Sequence, residues 1–179
     1  MPAIEATKTK LAEAEFFYRK LSSVQQRVFS NEPEAFGSYL SAFLSAARSV
    51  SLVLQAEQKQ KYDEWFTGWK QSLPGDDQAL LTNFNEQRVA TVHRTGAEVT
   101  HRSEAIAQAD FFLAAAREGA QVHIWSPPGT PQPQFYRPVR SFNFDGIEAE
   151  VVQTCGRYLT VLSNLVKSFA ERFADETAT

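Results

Sequence analysis

Apolar side chains that recur every third or fourth residue are what most restrict the fold of this chain. That spacing lines one face of a helix and fits no alternating strand. Leu11, Ala14, Phe17, Leu21, Val24 and Val28 form such a stripe between Thr7 and Ser30. Asn31-Glu32-Pro33-Glu34 then offers a capping side chain, a proline tolerated in a first turn, and acids suited to the positive end of a helix dipole. A second helix is expected from there, with Phe36, Leu40, Phe43, Ala47, Val50 and Leu54 as its stripe. Its small residues Ser41, Ser45, Ala46 and Ser49 would let a neighbouring helix approach closely. Tyr62, Trp65, Phe66, Trp69 and Leu73 mark a third helix, stopped by Pro74-Gly75. Leu80, Leu81, Phe84, Val89 and Val92 mark a fourth, ending near Gly96, and Ser103 is expected to open a fifth that runs through Ile106, Phe112, Leu113 and Ala116 to Gly119.

Strand signals come only afterwards. Gln121 to Trp125 alternates in part, and Phe135 to Phe144 is rich in aromatic and β-branched residues, so a hairpin is expected around the proline-rich loop 126–133. Pro138 confines the second of these strands to a sheet edge or a bulge. Asp145 and Glu148 have the spacing of a capping box before a long closing helix with the stripe Val152, Cys155, Leu159, Leu162, Val166, Phe169 and Phe173. The pattern predicts an all-α fold, a helical bundle with a small β-hairpin inserted before the long C-terminal helix. One domain is expected over 1–179, with a helical core at about 7–96 and 145–175 and an insertion at about 97–144.

A chain of 179 residues, 43% hydrophobic and 22% charged, can bury a core of its own without metals or disulfides. Ser, Arg or Gln interrupts every long apolar stretch, so no membrane span and no membrane partner are expected. The polar start MPAIEATKTK lacks the apolar segment of a secretory signal, which makes a cytoplasmic location the expectation. Cys155, alone in apolar helical surroundings, reads as a buried thiol. A net charge of -3 gives no bulk attraction to nucleic acid, so any phosphate must be held by a local basic cluster. Glycine-rich phosphate loops, zinc-protease motifs and nucleophile elbows are absent. Glu98 and His101 have the spacing of one ligand pair of a carboxylate-bridged metal bundle, a weaker oxidase reading, but matching pairs are missing and neither metal nor cofactor is expected.

Arg88 and His93 carry the sharpest chemical signal. An Arg holds a phosphodiester through two parallel hydrogen bonds, and a His that titrates near neutrality can take a proton from a ribose 2′-hydroxyl or give one to the departing 5′-oxygen. Five residues along a helix set the two positions about 140° and roughly 7.5 Å apart. Either the helix loosens before Gly96, or two copies meet across a dimer axis and build a composite site. Spacing alone is a weak signal, since Arg94 with His101 and Arg117 with His123 fit a similar rule; the place at the end of an amphipathic helix singles out Arg88 and His93. Arg94 and Arg102 add positive charge in a segment where Glu98 is the only acid, and they are candidate phosphate-binding residues. Tyr136, Arg137, Arg140, Phe142 and Phe144 mix aromatics with cations as a nucleic-acid platform or a protein contact would, and Trp125 is the expected exposed interface residue.

Helices leading to Arg88-x4-His93 at a helix end, followed by a long closing helix, resemble the HEPN (higher eukaryotes and prokaryotes nucleotide-binding) superfamily over most of the chain. The resemblance implies RNA or nucleotide as ligand, a homodimer, and a metal-independent endoribonuclease site in which Arg88 and His93 are catalytic. It also brings toxin–antitoxin pairs, and so a protein partner, into view. The family pattern usually has Asn or another polar residue after the Arg, where this chain has Val89. That departure keeps a second reading open, a non-catalytic interaction module of the same fold.

Overall fold

The computed structural model describes residues 3–29, 32–93, 99–144 and 147–174, without the side chains of 85–93 and 144. Helices α1 (Glu5–Gln25), α2 (Pro33–Glu57), α3 (Lys59–Ser72) and α4 (Gly75–His93) come first, followed by strand β1 (Val99–Ile106) and helix α5 (Gln108–Arg117). Strands β2 (Phe135–Phe144) and β3 (Ile147–Glu150) then lead into helix α6 (Val151–Arg172).

The expected stripes become the core. Leu21 of α1, Phe43, Val50 and Leu54 of α2, and Leu162, Leu165 and Phe169 of α6 are all fully buried in one cluster. By length and composition α2 is the one described helix able to cross a bilayer. Its Phe36, Leu40, Phe43, Leu44, Val50 and Leu54 are nevertheless buried inside the bundle, the place of a core helix. Cys155 is fully buried on α6, and burial pushes its thiol well above the ordinary range, so it packs and does not attack. Gly156, one residue on, lets α1 come close: a Cβ there would lie 2.6 Å from the Tyr18 hydroxyl.

An all-α fold is incorrect. The strands form a three-stranded antiparallel sheet in the order β1-β2-β3. Residues 99–106, expected to lead into a helix at Ser103, pair with β2 in the register Val99↔Phe142 to Ile106↔Phe135, and helix starts only at Gln108. β2 gains this partner in place of Gln121–Trp125, which lies outside any strand. The presumed capping box is also strand: Glu148 sits in β3 opposite Asn143, and α6 begins at Val151 with no side-chain cap. In sequence, Asp145-Gly146 is among the dipeptides favoured between hairpin strands, and pairing of the flanking residues outweighs the helix-start signal.

Pro138 occupies the central strand, against the expectation of an edge, for a geometric reason. Its carbonyl accepts a 2.6 Å hydrogen bond from Gln25 Nε2 of α1, so that backbone position faces away from β1, and its ring removes no ladder donor. On that side β3 reaches only as far as Ser141. One face of β2 meets the bundle through Arg140 and Phe142. The Arg140 guanidinium lies 4.3 Å from the Phe36 ring centre and donates to Gln25 Oε1 at 3.2 Å, and Phe142 stands edge-on to Phe84 at 5.9 Å. α5 contributes Phe111 against Phe135 at 4.3 Å.

Helix α1 begins without a cap of its own, and Glu57 at the far end of α2 supplies one. Its carboxylate accepts from the Ala6 and Thr7 amides at 2.9 and 3.0 Å and from the Thr7 hydroxyl at 2.6 Å. Burial would raise the Glu57 pKa, but the Thr7 hydroxyl and the two amides outweigh it and hold the carboxyl below its ordinary value of 4.5. A depressed folded pKa contributes stability that is present above the unfolded value and lost as pH falls through the folded one. Glu57→Gln is expected to cost about 1 kcal/mol at neutral pH. In urea titrations the gap from the parent should close as pH drops through the carboxylate range.

Candidate functional site at the α4 end and β1

Helix α4 starts just after Pro74 with Asp76 and Asp77 in its first turn, and it runs unbroken to His93. Its buried anchors are Leu80 and Phe84, and the Phe84 ring stacks on Tyr158 of α6 at 4.1 Å. Positions 88 and 93 are therefore both on regular helix, and the loosening that would let them meet within one chain does not occur before 93. By the helical period, 88 falls one turn beyond Phe84 on the same flank, whereas 93 falls on the opposite side. The side chains of Arg88 and His93 lie outside the described residues, and so does Arg94 altogether.

Arg102 is exposed on β1, opposite Val139 of β2. Its neighbour on that face is the Glu104–Arg137 pair, in which the guanidinium holds one carboxylate oxygen with Nε at 3.0 Å and a terminal nitrogen at 2.8 Å. Arg137 chiefly, then Arg102, draws the Glu104 carboxyl below its ordinary value. His101 pairs with Arg140 and so projects to the other face of the sheet. The strand thus separates two residues that the sequence placed in one basic cluster.

The expected aromatic and cationic platform on β2 is split in the same way. Tyr136 and Arg137 are exposed, while Arg140 and Phe142 are 1% and 0% exposed and belong to the core. A cavity of about 440 Å³ beside the Arg137–Glu104 pair carries Glu104 and Asp110 against Arg117 and Arg137, a balance that gives no preference for an anion. Trp125, at 81% exposure, is the most exposed of the large apolar side chains, as an interface residue would be.

Sequence reasoning passed over Arg48 and Lys70, which line a separate cleft between α2, α3, α4 and α6. No spacing rule links residues on two different helices. The available signal was Arg48 itself, the only charge between Glu34 and Glu57 in the most apolar helix of the chain. Comparison with family models, with curated proteins and with solved structures finds no match.

Proposed function

We propose that this chain is a cytoplasmic, HEPN-like homodimer that binds RNA or a nucleotide and cuts RNA without a metal ion. Arg88 holds the scissile phosphate. His93 of the other copy takes the proton of the ribose 2′-hydroxyl as its oxygen attacks phosphorus and passes a proton on to the departing 5′-oxygen. The products are a 2′,3′-cyclic phosphate and a free 5′-hydroxyl, so no water or metal enters the first step. The observation that supports this reading is the continuity of α4 through His93, which carries both positions of the motif on one regular helix.

Cleavage of labelled RNA in the presence of EDTA is the test. Arg88→Ala and His93→Ala are each expected to lower the rate about 10²- to 10⁴-fold. Equal cleavage by the parent and both variants would remove the proposed chemistry. Val89 and the exposure of Trp125 favour a second reading, a non-catalytic module that docks a protein partner, and complete absence of cleavage by the parent would select it.

A further inference from the structure

The cleft between α2, α3, α4 and α6 has a volume of about 170 Å³ and an unusual charge balance. Arg48 and Lys70 both line it, and among the described residues no carboxylate does. The acids on adjoining turns are engaged elsewhere: Asp63 accepts from Lys59 and Gln55, each at 2.6 Å, and Asp77 holds Arg157 at 2.7 Å. Arg48 Nε is enclosed by protein and has no hydrogen-bond partner among the described residues. Folded chains rarely leave a buried donor unmet, least of all on a cation, so the Arg48 head group is short of an acceptor among the described residues.

The remaining lining suits such an acceptor. Ser51 and Tyr158 contribute hydroxyls, and Ser51 is linked at 2.7 Å to the hydroxyl of Tyr62. Burial keeps Tyr158 protonated, with its pKa pushed up to about 12 despite the nearby Arg48 charge, so it remains a donor. Phe66, Leu162 and Leu165 form apolar walls, and the weak screening they produce strengthens attraction between the two cations and an anion. Two cations and two hydroxyl-bearing residues lining one small space suit a tetrahedral oxyanion, which only accepts and carries multiple negative charge. The space is well below the ~300 Å³ at which drug-sized pockets begin, which excludes a whole nucleotide.

We propose that Arg48 and Lys70 form a binding site for a small phosphate-bearing ligand, either inorganic phosphate or the phosphoryl head of a small phosphomonoester. The site is independent of the α4 motif and of RNA cleavage. Equilibrium dialysis with radiolabelled inorganic phosphate at fixed ionic strength is expected to show saturable uptake of one phosphate per chain. Arg48→Gln should weaken that uptake at least tenfold. Lys70→Gln, at the partly exposed lip where folding is not at stake, should do the same, whereas Arg19→Gln on the exposed face of α1 should leave it unchanged. Competition by glycerol 3-phosphate would assign the site to phosphomonoesters, and failure to compete would assign it to free phosphate. Non-saturable uptake, equal affinity in the Arg48 and Lys70 variants, or tighter binding of adenosine monophosphate than of phosphate would each overturn the proposal.

Discussion

Mixing Arg88→Ala subunits with His93→Ala subunits is expected to restore RNA cleavage that neither variant shows alone. The reason lies in α4. Because the helix is regular through position 93, the two positions face directions about 140° apart and cannot grip one phosphate from a single copy. If Arg88 of one subunit works with His93 of the other, a mixed dimer contains one intact pair and one doubly truncated pair. Random assortment makes half the dimers mixed, so activity should recover to about a quarter of the parent value. Each variant alone should stay at least 100-fold down. No recovery after subunit exchange, verified by native mass spectrometry, would mean that each chain works with its own pair and would refute the composite site.

Phe142→Ala is expected to be the most damaging of the core truncations that attach the sheet. The ring is fully buried, stands edge-on to Phe84, and reaches α6 through the Phe84–Tyr158 stack. Along the sheet it sits between Val99 of β1 and Ala149 of β3, so a single side chain joins three strands to two helices. Truncating a buried phenylalanine costs about 3–5 kcal/mol, a large part of the ~5–15 kcal/mol that keeps a domain folded. Urea unfolding should show a much lower midpoint with unchanged slope. Trp125→Ala, by contrast, removes a larger ring that is 81% exposed and should stay within about 0.5 kcal/mol of the parent.

The helices were legible because their stability is written locally, in stripes such as Phe36, Leu40, Phe43 and Ala47 that only a helix can bury together. β1 was not. Thr100, His101, Arg102 and Ser103 are all exposed, so the strand shows no alternation, and it is held by β2, whose paired residues lie some thirty to forty positions further on. Ser103 as a helix cap and Asp145 with Glu148 as a capping box were sound local readings overridden by that pairing. The Asp145-Gly146 dipeptide was the one local clue to β3 in the sequence. Arg88 and His93 were legible by type and position, but the split of His101 from Arg102 depends on which face of a strand each occupies. Nothing in the order of residues announces that.

Gln25 has a mechanical consequence. Its amide bonds the Pro138 carbonyl and the Arg140 side chain, 113 and 115 positions away, while Glu118 just beyond α5 takes the amides of Val28 and Phe29. The tail of α1 is therefore stitched to the middle of β2 and to the end of α5. A force or ligand that displaces the connection between the first two helices would be transmitted directly to the sheet, and the inserted segment would move together with the bundle.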